Sequence, residues 1–247
     1  MLGIAFSLLG VAIGSFLNVC IDRLPQGGSI ISPPSKCDSC GRQLTPLELI
    51  PILSYLALRG KCRHCKAPIL IRTLFVELGT GIVFGLIWLQ YPESATAMVV
   101  ACYSAILILI LAIDLEHHKV LNRLTYPAIA LALIAAPFTP DRSLGELLLG
   151  GAIGFGILFA IAFVYPAGMG MGDVKLVAFI GLTVGYPGIL LAMFLSFVIG
   201  GLISGALLAA RLIGRRDPIA FAPFLAVGAI TTMLYGEQII RWWAGRT

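Results

Sequence analysis

The sequence predicts an all-α polytopic membrane protein with about eight transmembrane helices and a small cytoplasmic zinc-ribbon-like loop domain. Of its 247 residues, 59% are hydrophobic and only 12% are charged, and the mean hydropathy is +0.98. A soluble globular domain carries far more charge than this. Long uncharged stretches recur along the chain, and two cysteine pairs follow the first of them. These observations together define the predicted fold class.

The uncharged stretches set the predicted number of helices, because a spanning helix needs roughly 20 mostly apolar residues. The stretch 176–210 is too long for one crossing, and Tyr186, Pro187 and Gly188 interrupt it, so it is divided into a short helix and a longer one. The first stretch is longer than a signal-peptide core and is predicted to be a retained anchor. The stretches lie near 2–20, 78–92, 94–113, 124–140, 147–172, 176–210 and 218–236.

The basic residues predict the orientation, since cytoplasmic loops are enriched in Lys and Arg. The segment 21–72 holds eight of the seventeen Lys and Arg residues, so it is predicted to be cytoplasmic. Eight crossings then place the turns with Lys119, Arg123, Lys175, Arg211, Arg215 and Arg216 inside as well. Arg142, Arg241 and Arg246 remain outside, with both termini. The formal charge of +5 is therefore interpreted as a topology signal, and no nucleic-acid partner is predicted. The domains are predicted as helix 1–20, loop 21–72 and membrane domain 73–247.

The loop carries two Cys-x-x-Cys pairs, which is the ligand pattern of a zinc ribbon. Four thiolates suit tetrahedral zinc, and Gly41 follows the first pair where a tight turn would help. Two disulfides are the alternative, but the reducing cytosol favours a metal. We expect the zinc to be structural, and His64 is interpreted as an exposed polar residue that could serve as an alternative ligand. The predicted ligands are Cys37, Cys40, Cys62 and Cys65.

Two aspartates lie at the predicted cytoplasmic ends of helices. Asp114 ends the third helix, and Asp173 follows a glycine-rich run at the start of the sixth helix. Ionisable residues at such positions are costly and indicate function. Two carboxylates that share a proton could activate water and polarise a peptide carbonyl, as in aspartic proteases. Helix dipoles would favour the ionised form at Asp173 and the protonated form at Asp114.

Other interpretations remain at this point. Each aspartate could instead be a helix cap or a solvated interfacial charge. A non-enzymatic membrane assembly factor with a zinc-ribbon docking module would explain the cysteines and the basic loop, but it gives no reason for the matched aspartates. A proton-coupled transporter would place its acidic groups near the bilayer midplane. His117 and His118 are interpreted as part of a solvated turn that could line a cleft.

The aspartate motifs resemble those of the type IV prepilin peptidase family, which are Gly-x-Gly-Asp membrane aspartic proteases. Ile113-Asp114-Leu115-Glu116 matches the first motif, and Gly170-Met171-Gly172-Asp173 with Lys175 matches the second. The resemblance covers nearly the whole chain. It also includes the stretch 14–19, both cysteine pairs and Val76-Glu77-Leu78, whereas the stretch 218–224 departs from the family pattern at two positions.

The resemblance implies an endopeptidase of the bacterial inner membrane with its active site facing the cytoplasm. Asp114 and Asp173 would be catalytic, and Gly170, Gly172 and Lys175 would form the substrate loop. The substrates would be prepilins or pseudopilins of a pilus or secretion system, cut after a short basic leader. Their new N-terminus would be methylated with S-adenosylmethionine. The chain has no Rossmann-like motif for that cofactor, so the loop and Glu77 are only candidates for its site, and for Glu77 an interfacial ion pair with Arg72 is favoured over a catalytic role.

Overall fold

The computed structural model describes residues 1–92, 95–138, 142–165, 169–214 and 219–245. Gly168, Arg215, Arg216, Pro218 and Arg246, which carry parts of the sequence interpretation, lie outside these ranges. The described residues are helical, with two isolated β-bridges and no longer strand. Their α-helices are α1 (Leu2–Arg23), α2 (Leu53–Ala57), α3 (Ile71–Gln90), α4 (Ala95–His117), α5 (Asn122–Ala135), α6 (Leu144–Val164), α7 (Met171–Val184), α8 (Gly188–Ala209) and α9 (Ala222–Ala244).

Five of these helices, α1, α3, α4, α6 and α8, are long and apolar enough to span a membrane. This supports a multi-pass membrane protein. Helices α5 and α7 have 14 residues each, or about 21 Å at 1.5 Å per residue, against a hydrocarbon core of about 30 Å. Helix α9 has 23 residues but carries Glu237 and Arg241. The predicted count of about eight crossings is thus supported for five helices.

The break expected within 176–210 is present. Helix α7 ends at Val184, and Gly185 follows with φ of +64°, a conformation that ends a helix at little cost for glycine. Pro187 is the N-cap of α8, where its missing N–H removes no helical hydrogen bond. The break therefore follows from the backbone conformations that Gly185 and Pro187 favour.

The chain divides into two compact units, Met1–Glu93 and Ser94–Thr247. In the first unit, glycines bring α1 and α3 close together. A Cβ at Gly14 would lie 2.8 Å from Glu77 Cα, and one at Gly10 would lie 2.7 Å from Phe84 Cβ. Only glycine allows this approach, as in other membrane helix pairs.

In the second unit, α7 is packed against α5, α6 and α9. Nine of its fourteen residues are buried. A Cβ at Gly181 would collide with the Gly150 carbonyl, so α6 and α7 meet backbone to backbone. The interior position of α7 holds its N-terminal turn, which carries Asp173, in a fixed place.

Candidate functional site

Asp114 lies in the last turn of α4 and is only 5% exposed. Its Oδ2 accepts a hydrogen bond of 3.2 Å from the N–H of Ala222, the first residue of α9. The first amides of a helix have no partner inside the helix, and the N-terminal end of a helix favours negative charge. Helix α9 therefore fixes the Asp114 carboxylate and stabilises its charge.

Asp173 is the third residue of α7, and Gly170 is the N-cap of that helix. Its backbone N–H donates to the Gly170 carbonyl at 3.1 Å. Both aspartates therefore lie beside a helix N-terminus, α9 for Asp114 and α7 for Asp173. The sequence placed Asp114 only at the C-terminus of α4 and therefore predicted that helix dipoles would make the two carboxylates unequal. With a helix N-terminus beside each of them, this difference between the carboxylates is no longer expected.

One open cleft of about 370 Å³ contains both aspartates. The turn between α4 and α5 forms one wall and the start of α7 forms the other. The structure thus brings together two carboxylates separated by 59 positions in the sequence. The lining residues are Asp114, His118, Lys119, Val120, Leu121, Asn122, Gly170, Gly172 and Asp173.

The two predicted loop glycines have different roles. A Cβ at Gly172 would lie 2.8 Å from Val120 Cβ, so glycine is needed there for α7 to pack on the α4–α5 turn. The nearest atom to a Cβ at Gly170 would be Asp173 Oδ2, at 3.6 Å, which is an ordinary contact. The packing therefore gives no steric reason for glycine at position 170, whereas Gly172 is needed to position the helix.

Lys175, the third predicted loop residue, is not part of the cleft lining. Its Nζ donates to Asn122 Oδ1 at 2.9 Å and lies 5.0 Å from the centroid of the Tyr126 ring. Both partners belong to α5. Lys175 thus joins the start of α7 to the start of α5 from outside the cleft.

The sequence suggested only His118 as a residue that could line the cleft, and residues 119–122, which complete this wall, were not assigned to it. His118 has φ of +49° and its N–H bonds to the Asp114 carbonyl, which ends α4. The chain then turns back along Asp114 before α5 begins. The signal in the sequence was the short polar run between two apolar stretches, but that pattern is also typical of a solvated turn.

The four predicted metal ligands form a second cluster, in the first unit. Their Sγ atoms all lie within 4.8 Å of one another, and the Sγ atoms of Cys37 and Cys65 are 3.8 Å apart. A tetrahedron with Zn–S bonds of about 2.3 Å has edges of about 3.8 Å. The four cysteines could therefore hold one metal ion, and a thiolate set suits zinc.

The two cysteine pairs sit on matching turns, 25 positions apart. In the first, Cys37 N–H donates to the Arg42 carbonyl at 2.9 Å and Gly41 N–H donates to the Cys37 carbonyl at 2.8 Å. In the second, Cys62 N–H donates to Ala67 at 2.8 Å and Lys66 N–H donates to Cys62 at 3.1 Å. Where a zinc ribbon has β-strands, the described part of this loop has two isolated β-bridges, Lys36–Gln43 and Lys61–Pro68.

The turns also supply backbone donors to sulfur. Backbone hydrogen bonds from Cys65 and His64 lower the pKa of the Cys62 thiol to about 6. The amide of Ala67 lowers the pKa of Cys65, but burial and the neighbouring thiols outweigh it and raise that pKa to about 11. One thiolate is thus stabilised without a metal, whereas a fully ionised set needs a cation.

Glu77 is buried in α3, and its Oε2 accepts a hydrogen bond of 2.7 Å from Ile52 N–H. It has this partner instead of the Arg72 considered from the sequence. Arg72 Nη2 lies 2.6 Å from Asp22 Oδ1.

The described helices and the cleft define a helical membrane protein with two carboxyl side chains in one open cleft. Comparison with known families makes this specific: the chain belongs to the type IV leader peptidase family. The profile of that family matches residues 101–205, and that of the bacterial peptidase A24 N-terminal domain matches residues 8–91. No solved structure matches the chain.

Curated relatives match the chain along nearly its whole length. A prepilin leader peptidase/N-methyltransferase of Bacillus subtilis is 36% identical over 240 residues, which cover 97% of this chain and 96% of the relative. Proteins with the same name from Pseudomonas aeruginosa and Stutzerimonas stutzeri are 33% and 32% identical, covering 95% and 94% of this chain and 90% of each relative. These relatives support a peptidase function.

Proposed function

We propose that this chain is a membrane aspartic endopeptidase that removes the short basic leader from prepilins or pseudopilins at the cytoplasmic membrane face. One observation carries the proposal: Asp114 and Asp173 line the same open cleft. The relatives' names supply the substrate class. A prepilin has a charged leader beside an apolar helix, so its cleavage point would lie where membrane helices such as α4 end.

Two carboxylates in one small cleft do not both ionise readily, so they share a proton. The ionised member would take a proton from water as that water attacks the peptide carbonyl, and the protonated member would donate its proton to the carbonyl oxygen. When this intermediate collapses, a hydroxyl proton returns to one carboxylate, the C–N bond breaks, and the other carboxyl group gives its proton to the leaving amine. The Ala222 N–H would hold Asp114 in position through this cycle. The pair titrates as one system, so neither residue is assigned a permanent role.

Several finer features belong to the same proposal. All the described α-helices except the five-residue α2 would cross the bacterial inner membrane. Both termini would lie outside and the cleft would face the cytoplasm, as the basic residues predict. Zinc bound by the four cysteines would be structural. The chain would also N-methylate the new N-terminus with S-adenosylmethionine, an activity carried by the relatives' names.

The peptidase proposal is tested with purified full-length chain in lipid nanodiscs and a prepilin substrate, by following leader release. Asp114→Asn and Asp173→Asn should each lower the rate at least ~100-fold, the size expected for loss of a general acid or base. The matched control is Glu237→Gln on α9, whose exposed side chain pairs with Arg241 and which should cleave at the wild-type rate. Cleavage that survives either aspartate substitution would rule out the carboxylate pair.

A further inference from the structure

Two polar side chains are buried where α1 packs on α3, and they belong to neither the aspartate cleft nor the cysteine cluster. Asn18 is 6% exposed and Glu77 is 4% exposed. Polar groups inside apolar helix pairs are costly, and in membrane proteins they indicate function. Their hydrogen bonds show what kind of ligand would complete the site.

Asn18 has an acceptor without a partner. Its Nδ2 donates to the Gly14 carbonyl at 3.3 Å and to the Thr73 carbonyl at 3.1 Å. Because both partners are acceptors, the amide can point only one way. Its Oδ1 is then buried, and no group in the described part of the chain donates a hydrogen bond to it. Buried acceptors in native proteins are nearly always satisfied, so a donor from outside the chain is expected here.

The neighbouring acceptor is the Glu77 carboxylate. Thr73 and Glu77 lie one turn apart on α3, so they share the face that meets α1. Gly14, whose carbonyl accepts a hydrogen bond from Asn18, lies against Glu77, since a Cβ at Gly14 would be 2.8 Å from Glu77 Cα. A carboxylate has about four acceptor positions, so Glu77 has capacity beyond the hydrogen bond from Ile52 N–H.

A strained turn contacts Glu77. Ile52 has φ of +61° and ψ of −54°, and Leu53 N–H donates to the Pro51 carbonyl at 2.6 Å. These values define the rare, positive-φ form of the γ-turn, and a β-branched residue is an outlier there. Backbone strain of this kind is found at ligand clamps and switch segments. The turn reaches Glu77 through the Ile52 N–H, a contact that an incoming donor could replace.

We propose that Asn18 and Glu77 form a binding site for a primary ammonium group, which enters as the Ile52 turn lifts away. An ammonium has three N–H donors and no acceptor, which matches a carboxylate beside an unsatisfied amide oxygen. The inference rests on the proposed N-methylation, whose two reactants each carry such a group. One is the N-terminal amine of the mature pilin, and the other is the amino group of S-adenosylmethionine.

The test measures binding to the full-length chain in nanodiscs by calorimetry. The probes are a peptide with the mature pilin N-terminus, its N-acetylated form, and S-adenosylhomocysteine. In Glu77→Gln and Asn18→Leu we expect the affinity for one amine-bearing probe to fall at least tenfold. A fall for the free-amine peptide assigns the site to the methyl acceptor, and a fall for S-adenosylhomocysteine assigns it to the cofactor. Unchanged affinity for both probes, or no binding of either by the wild type, overturns the inference.

Thr80→Val is the matched control. Thr80 is also buried on α3, but its hydroxyl donates to the Val76 carbonyl of its own helix at 2.7 Å. This variant should bind both probes as the wild type does. Leader cleavage on the same preparations shows that each variant is folded. A wild-type chain that binds the probes but does not cleave would count against the proposed peptidase, and the ammonium site would stand.

Discussion

At the scale of single residues, the two cysteine turns offer a comparison of backbone strain. Gly41 and Lys66 occupy equivalent positions after the second cysteine of each pair, with φ of +70° and +62°. A Cβ at Gly41 would meet nothing within 4 Å. The two positions therefore differ in backbone strain and not in packing: a residue with a side chain costs about 1–2 kcal/mol in the left-handed region, and glycine does not.

This difference in strain predicts that substitutions at Gly41 and Lys66 have opposite effects on the stability of the loop that carries the four cysteines. Gly41→Ala should destabilise it by about 1 kcal/mol, and Lys66→Gly should stabilise it by a similar amount. The measurement is retention of zinc in competition with a chelator. Lys66→Ala is the control, because it removes the charge and keeps the strained backbone. A stabilisation by Lys66→Ala equal to that of Lys66→Gly would show that charge, and not strain, is responsible.

A substitution at Gly172 is expected to have a steric effect beside the proposed catalytic pair. Gly172→Ala would place a Cβ 2.8 Å from Val120 Cβ, and overpacking of this kind costs about 1–3 kcal/mol. We expect lower peptidase activity and a lower melting temperature for this variant. The double variant Gly172→Ala/Val120→Gly should recover much of both, because it removes the Val120 Cβ that the new methyl group would meet.

Gly170→Ala controls for the loss of a glycine as such, since its Cβ has ordinary contacts. It should leave the melting temperature unchanged. A double variant that is no better than Gly172→Ala alone would show that Val120 is not the obstacle.

At the scale of elements, the hydrogen bond between Lys175 and Asn122 joins the start of α7 to the start of α5. It therefore holds the two walls of the cleft at a fixed position relative to each other. Lys175→Met and Asn122→Ala should each reduce kcat about tenfold with little change in KM, because a displaced wall misaligns the carboxylates. The double variant should be no worse than either single one, since both remove the same contact. Fully additive losses in this cycle would mean that the bond does not act as a unit.

The elements also show what the sequence could predict. Apolar stretches and the Pro187 break located the long helices, because burial in lipid requires uncharged helical runs. The aspartates could be selected from the sequence because an ionisable group at the end of a membrane helix is costly, and the cysteines because their paired spacing is that of metal ligands. Apart from His118, the cleft wall at 118–122 was not predicted, and neither was the Ala222 contact with Asp114, since both depend on how α4, α5 and α9 pack.

At the scale of the whole molecule, the cleft constrains how many times the chain crosses the membrane. It brings residues 118–122 next to residues 170–173, so both segments lie on one side. Between them lies α6, which is long and apolar enough to span. One crossing by α6 alone would put the two segments on opposite sides. A second crossing is required, and α5 is the α-helix described in that interval.

Helix α5 is therefore expected to cross, although its 14 residues span only about 21 Å. The 3₁₀ turn Ala136–Phe138 extends it by three residues, and a local thinning of the bilayer accommodates the remaining mismatch. Fusions of green fluorescent protein and alkaline phosphatase after Lys119 and after Arg142 measure this directly. Fluorescence at Lys119 and phosphatase activity at Arg142 are the expected results, because the cleft would face the cytoplasm and Arg142 the outside. The same reporter active at both positions would mean that α5 does not cross, and would leave the packing of the cleft incompatible with a spanning α6.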